Sequence, residues 1–454
     1  MFFVHDNVIK WLNSFFQDRL SSDISFSLRN HSQWILSVKN HDFDLVFPVN
    51  KLFFIQSYIS NFPCSCLSSD FSLSQFLPDT PLPLPGISSF TDPILTFDKN
   101  IAFLRYDIPG FIYWTINRIE EVYAPPYLLD HWNRFPAFHS HSYHNNYLLR
   151  PIVDEWIISL KKIILYFLPR FHFNKSSFDI LVSHDVDVPL MYGFRNKRSF
   201  IRSIASSIIK NRDFISPFYS FCIYANSAKY LHPKDPYNTF DFLFACANEF
   251  NYIPTFYFMA GNTEPLLDAN YSLDNASIEN LLIKISSLGF NIGIHPSFNS
   301  FQASSFSFEV SRLRSKLSSL NIYQPSFGSR MHCLRWDWSH SLQMIRSSNL
   351  DYDSTLGFAD SPGFRCGTCH PFKMYDVLSN SVTSISQLPL IFMECSAIDS
   401  RYLGLGYTEQ CYQFISKLKY LCMAVEGNFS ILWHNSHFNN NSDRDLFRFL
   451  LSKP

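Results

Sequence analysis

The pentapeptide Ser183-His184-Asp185-Val186-Asp187 closes the short apolar run Phe178-Asp179-Ile180-Leu181-Val182. A run that short, stopped by three ionisable residues, reads as a buried strand with a polar tip. Side chains alternate along a strand, so Asp185 and Asp187 are expected on the same side of it. Two carboxylates crowded at one tip repel each other unless a cation or a proton sits between them. The chemistry open to such a tip is metal binding, with a base beside the ion. An isolated Asp-x-Asp is equally at home in a turn, and the rest of the chain has to decide between the two.

Four further strand ends carry suitable groups. The segment Phe290-Asn291-Ile292-Gly293-Ile294 runs into His295-Pro296-Ser297-Phe298-Asn299. A strand at 326–329 ends in Arg330, followed by Met331-His332. A strand at 350–352 ends in Asp353-Ser354-Thr355, and Phe429-Ser430-Ile431-Leu432-Trp433 ends in His434-Asn435-Ser436. One histidine at a strand end is more often structural than functional. Five separate strands, each ending in a group that can bind metal or move a proton, are hard to obtain by chance.

The elements that must position these groups follow from periodicity. Beyond residue 176 strands alternate with helices, the latter near 199–210, 238–250, 276–288, 304–320, 339–348 and 408–425, with further strands at 253–259 and 384–392. Phe240, Leu243, Phe244 and Ala247 fall on one helical face, as do Phe306, Val310, Leu313, Leu317 and Leu320. This alternation predicts an α/β fold with a parallel sheet and outer helices, specifically a distorted (β/α)7 barrel, whose chemistry collects at the C-terminal strand ends. The first 175 residues differ. They hold a Pro-rich stretch from Phe76 to Gly86 that reads as an extended loop, a helix at 111–121, and a helix from Pro151 to about Leu168 that Pro169 stops. The expected division is a smaller α/β accessory domain at 1–175 and the barrel at 176–454, two domains being the default for 454 residues.

Composition narrows the function. With 37 basic and 38 acidic residues the net charge is −1, which gives no electrostatic case for nucleic acid or an anionic membrane. Met1-Phe2-Phe3-Val4 meets His5 and Asp6 at once, without the pattern of a targeting segment. No apolar run reaches the roughly 18 residues of a spanning helix; the longest candidate, Trp156 to Leu168, is interrupted by Lys161-Lys162. The ten scattered cysteines read as reduced thiols, and the expected location is cytoplasmic.

The ordered set of strand-end groups resembles the NodB-homology polysaccharide deacetylases, carbohydrate esterase family 4. The matches are the Asp185-x-Asp187 station, the His295-to-Asn299 station, Arg330, Asp353 and Leu432-Trp433-His434. The first motif, His184 to Asp187, with Ser354-Thr355-Leu356-Gly357 and Gly363-Phe364-Arg365-Cys366-Gly367-Thr368, is closer to a bacterial branch of that family. That branch's accessory domain is resembled by Arg118-Ile119-Glu120-Glu121, Asp130 to Phe135 and Pro151 to Trp156.

The resemblance implies metal-dependent removal of an N-acetyl group from a sugar or polysaccharide precursor, in bacterial surface-polysaccharide synthesis. Asp185 would be the general base, Arg330 its orienting partner, His434 the general acid and Asp353 the group that tunes it. Asp187 and His295 would bind the ion, zinc being the natural choice. Asn299 would occupy the third ligand position. The family usually has a histidine there, four residues after the first, and an amide oxygen is a weaker donor; His332 and His184 are the nearest substitutes in motif terms. Two other readings remain open: a non-catalytic sugar-binding or scaffold protein that keeps the barrel, and a metal-dependent amidase acting on a small non-sugar substrate.

The remaining motifs carry less. Cys366-x-x-Cys369-His370 has no second cysteine pair to complete a zinc site. His139, His141 and His144 read as an exposed loop, Arg365 as a surface residue, and Trp336 and Trp338 as packing or a sugar platform. Neither a phosphate-cradling Gly-rich loop nor a nucleophilic Ser elbow is present.

Overall fold

A computed structural model describes residues 4–67, 76, 81–89, 93–209, 212 and 214–453. The chain divides into two compact units. The first comprises Met1–Asp179, Leu356–Ile391 and Tyr420–Asn428; the second comprises Ile180–Thr355, Phe392–Lys419 and Phe429–Pro454. Two segments that lie within 176–454 therefore group with the N-terminal residues.

The first unit is built on a sheet whose strands run in the order Ile24–Arg29, Gln33–Val38, Asp44–Pro48, Ile101–Leu104, Leu95–Asp98. All pairings are antiparallel except that of Asp44–Pro48 with Ile101–Leu104. Helix Asp6–Arg19 buries Val8, Trp11, Leu12, Phe15 and Phe16, an i, i+3, i+4, i+7, i+8 stripe. Within the Pro-rich stretch, Leu82–Pro85 is a strand paired with Cys64–Leu67, which corrects the loop expectation there; residues 77–80 lie outside those described. The helix expected at 111–121 is split into Ile108–Ile116 and Ile119–Val122 by Arg118, whose backbone is left-handed (φ 50°). Helix Ile152–Phe167 agrees with its expected start and stop.

In the second unit the strands form a row in the order Tyr352–Asp353, Gly328–Ser329, Asn291–Ile294, Thr255–Phe258, Asp179–Val186, Asn428–Leu432, Phe392–Met393. The pairings from Tyr352–Asp353 through Asp179–Val186 are parallel, as is that of Asn428–Leu432 with Phe392–Met393. The fold is mixed α/β, as expected; among the described residues no pairing closes the row on itself, so the strand order does not by itself establish the distorted (β/α)7 barrel. Two neighbouring strand pairs of the row are pressed together at glycines. A Cβ on Gly293 would lie 2.5 Å from the Tyr257 ring, and one on Gly328 would lie 2.2 Å from Tyr352, so only glycine leaves room there.

Helices Phe240–Phe250 and Ala303–Ser319 bury the expected faces. The strand expected at 384–392 is interrupted: Ser381–Gln387 forms a hairpin with Phe372–Asp376 in the first unit, and Phe392–Met393 joins the second unit's sheet. Pro389 sits in the break, where it has no amide hydrogen for a ladder. Among the helices not anticipated are Ser216–Asn226 and Asn441–Leu451. The second opens with a reciprocal capping box between Asn440 and Asp443. No helix among the described residues is long and apolar enough to cross a membrane.

Arg365 corrects its expectation as a surface residue. It is buried in the first unit, and its guanidinium grips Glu121 through Nε (3.0 Å to Oε1) and Nη2 (2.6 Å to Oε2). Arg118 Nε donates to the same Oε1 at 2.7 Å. Burial alone would raise the Glu121 carboxyl, but the charges of Arg365 and Arg118 prevail and hold it at about 2 against an ordinary 4.5. A carboxyl lowered in the folded state stabilises above its unfolded value and loses that contribution as pH falls through its folded value. The Glu121 contribution is therefore full above pH 4.5 and fades toward pH 2. Glu121→Gln leaves the buried Arg365 guanidinium without its counter-charge, while Arg118 keeps Glu120, and is expected to cost about 3 kcal/mol at neutral pH. Urea unfolding should show this loss at pH 7 and a smaller one below pH 3.

Candidate metal centre

The parallel strands bring their C-terminal ends to one place. Asp185 is 2% exposed. Its Oδ2 lies 3.7 Å from His295 Nε2 and its Oδ1 lies 3.9 Å from Arg330 Nη1. Asp187, just past the same strand, places Oδ1 3.2 Å from His295 Nε2 and Oδ2 3.9 Å from His332 Nε2. His434 Nε2 approaches Asp187 Oδ2 at 3.6 Å. Asp185, Asp187, His295, Arg330 and His434, read from four strand ends, thus converge on one place.

The ligand atoms offered by Asp187, His295 and His332 all fall within 4.8 Å of one another. Both imidazoles are aimed by their other nitrogen. His295 Nδ1 donates to the Arg330 carbonyl at 2.6 Å, which leaves Nε2 with its lone pair toward the cavity. His332 Nδ1 is 3.0 Å from Asp268 Oδ1. Such carboxylate and carbonyl partners are what hold the imidazole ligands of metal sites in one tautomer and orientation. His295 Nε2 and Asp187 Oδ1 are buried and have no hydrogen-bond partner, a costly arrangement that a cation between them would relieve. Two nitrogen donors and a carboxylate suit a divalent ion with open positions. The residues present fit such an ion.

Asp268 organises this corner. Its Oδ2 accepts from the backbone amides of Thr263 (2.8 Å) and Glu264 (2.7 Å), and its Oδ1 accepts from Phe298 (2.7 Å) as well as His332. One carboxylate thereby ties the loop after Thr255–Phe258 to the loop after His295 and to the turn that carries His332. That turn requires left-handed backbone at Cys333 (φ 59°) and Leu334 (φ 54°).

Three expected residues stand elsewhere. Asn299, expected as third ligand, is exposed, and its backbone amide is bonded to Thr263 Oγ1 at 2.8 Å; His332 supplies the third donor of the cluster. His184 points to the opposite side of its strand, fully buried between Phe256 and Phe447 with Nδ1 bonded to the Trp433 carbonyl at 2.7 Å. Burial pushes its imidazole down to about 4, so it is a neutral packing residue. Asp353, expected to tune the acid, is buried against Ser329 Oγ (2.8 Å) and the amide of Thr355 (2.7 Å).

The carboxylate that meets His434 is Glu394, which sequence reasoning missed. Its Oε1 accepts from His434 Nδ1 at 2.5 Å, His437 Nδ1 at 2.7 Å and the His434 amide at 3.1 Å. Burial would lower the His434 imidazole; the Glu394 carboxylate, helped by Asp187 and Asp185, overrides it and holds the imidazole up at about 10. Glu394 directly follows the two-residue strand Phe392–Met393, so the strand-end logic applied to the other stations would have found it had that strand been placed correctly. Arg330 is buried, stacks over the Tyr257 ring at 4.9 Å and donates to Ser354 Oγ at 2.9 Å, which fixes its fork beside Asp185.

The other motifs are structural. Asp154, grouped with Cys369 and His370, is saturated by Arg19 (2.8 Å), Thr368 Oγ1 (2.7 Å) and the Cys369 amide (2.9 Å). His141, expected in an exposed loop, is buried and bonded to Tyr147. Trp336 is buried with its ring edge-on to Trp338. A cleft of about 350 Å³ opens from Asp187 and is lined by Asp268, Tyr271, Arg195, Arg198 and Arg202.

Residues 7–169 match the model of a family of unknown function (DUF7033). No curated protein matches the chain. Among solved structures, the chain is similar to a crystal structure from Mycobacterium smegmatis, provisionally described as a polysaccharide deacetylase. The two are 14% identical with a TM-score of 0.39, and the similarity covers 61% of this chain and 84% of the other.

Metal titration distinguishes the two candidate third ligands. Calorimetry with zinc or cobalt should give one tight site in the parent protein. His332→Ala should weaken it at least as much as loss of a supporting partner, roughly 10- to 100-fold, whereas Asn299→Ala should leave it within about twofold.

Proposed function

We propose that the chain is a metal-dependent hydrolase that removes an N-acyl group, most simply acetyl, from an amino sugar in a glycan or glycan precursor. The observation that carries this reading is the convergence of Asp187, His295 and His332 on one cavity, with Asp185 and His434 on its flanks. A divalent ion held by the three donors, zinc by preference, would polarise the amide carbonyl and make water nucleophilic at neutral pH.

The protein's own groups do the rest. Asp185, buried and faced by Arg330, takes the proton of the attacking water. Arg330 cannot rotate away because Tyr257 and Ser354 hold it, so the base keeps its aim. His434 is held protonated by Glu394 and can give its Nε2 proton to the departing nitrogen. Proton donor and acceptor thus enter from different strands. The sugar substrate follows from the resemblance to polysaccharide deacetylases, and the setting it favours is synthesis of a surface-polysaccharide precursor.

Acetate release from a panel of N-acetylated sugars, oligosaccharides and nucleotide- or lipid-linked sugars tests the reading. Asp185→Asn and His434→Ala should each lower kcat by roughly 10²- to 10⁴-fold without removing the bound ion. Chelation should abolish turnover, and zinc or cobalt should restore it. Full activity in Asp185→Asn, or turnover that survives chelation, would exclude this chemistry. Glu394→Gln keeps the shape but removes the charge that holds His434 protonated; kcat should fall at least tenfold with KM little changed.

A further inference from the structure

Two helices follow the first metal station: Lys197–Ile209 is amphipathic, and Ser216–Asn226 carries apolar side chains on its exposed face as well as on its buried one. Their inner faces are accounted for. Phe200 and Ile223 are buried with Leu190, Met191 and Tyr192, and Phe200 stacks on Tyr224 at 4.3 Å. Their outer faces expose Ile201, Ile209, Phe218 and Phe221, and Phe214 between them is exposed as well. Phe218 is 87% exposed and Phe221 72%, values that a side chain with no role at the surface would not be expected to reach in company. Leu266, on the rim of the cleft that starts at Asp187, is 91% exposed as well.

Charge says what covers this face. From Arg195 to Lys234 the chain holds eight Lys or Arg and a single Asp, a local excess of seven positive charges in a chain of net charge −1. Lys197, Arg198 and Arg202 are exposed and form no ion pair among the described residues. Arg198 and Arg202 line the same cleft as Asp187. Exposed aromatic and branched side chains interleaved with unpaired cations are the pattern of a helix pair that lies in a lipid interface. A second copy of this chain would bring the same positive charges against themselves, whereas anionic headgroups neutralise them.

We propose that helices Lys197–Ile209 and Ser216–Asn226 form a membrane-docking surface for a bilayer interface rich in anionic phospholipid. Ile209, Phe214, Phe218 and Phe221 enter the headgroup boundary, and Arg198 and Arg202 meet lipid phosphates. The mouth of the cleft at Asp187 then faces the lipid surface. This surface does not depend on the hydrolase reading: metal-free protein should dock equally well, so failure of one leaves the other standing.

The full chain is sedimented with vesicles of phosphatidylcholine plus phosphatidylglycerol, and with phosphatidylcholine alone. Binding should favour the anionic vesicles by at least tenfold and weaken with added salt. The double variant Phe218→Ser, Phe221→Ser should lower binding to both vesicle types at least tenfold. Arg198→Gln with Arg202→Gln should erase most of the anionic preference, with an unchanged thermal melt. Absence of sedimentation with either vesicle overturns the proposal, as does binding that neither double variant alters. A concentration-dependent dimer in analytical ultracentrifugation, abolished by the phenylalanine variant and unaccompanied by vesicle binding, assigns the face to a second copy and overturns it too.

Discussion

Two carboxylates, Asp185 and Asp187, are held a residue apart at the end of a buried strand, and both face His295. Negative charge in so dry a place is unfavourable unless it is met by positive charge from a fixed direction. The surrounding architecture can be understood as supplying it. Arg330 meets Asp185 from a tip three strands along the row, the imidazoles of His295 and His332 meet Asp187, and His434 approaches Asp187 as well. Burial by itself would lower the His332 imidazole, yet the charges and hydrogen bond of Asp187 and Asp268 push it well up. Two carboxylates so placed make added positive charge welcome, and a divalent ion that displaces the His332 proton is the most compact way to add it.

The supporting residues explain how a chain with loops on several strands keeps its donors in register. Gly293 and Gly328 let Tyr257 and Tyr352 press against the neighbouring strands, and the Tyr257 ring then supports the guanidinium of Arg330. Asp268 binds three backbone amides from two loops and the ring of His332. Glu394 gathers His434 and His437 on one oxygen. Each of these is a local hydrogen-bond solution to a positioning problem that a loop left to itself would not solve.

How much of this was legible follows from where each signal resides. The strand ends were readable because a short apolar run followed by ionisable residues is a local pattern, and so were the helical faces at Phe240–Ala247 and Phe306–Leu317. His332 appeared among the substitutes for the third donor, but its place depends on a turn with left-handed Cys333 and on the distant Asp268, neither of which has a sequence signature. Glu394 was hidden by a strand drawn too long across Pro389. Arg365 looked like a surface residue because its partner Glu121 lies 244 positions away. Net charge concealed most: a total of −1 excluded an anionic surface on average, while the segment from Arg195 to Lys234 carries nearly all its charges with one sign.

The account turns on which atoms share an ion. An anomalous-difference map of crystals grown with cobalt or zinc, collected at the absorption edge of the metal, shows it directly. One strong peak is expected, bounded by Asp187, His295 Nε2 and His332 Nε2 at zinc-like distances of about 2.0–2.2 Å. Crystals of metal-loaded protein with no peak there, or with the only peak beside Glu394 and His437, would contradict this assignment.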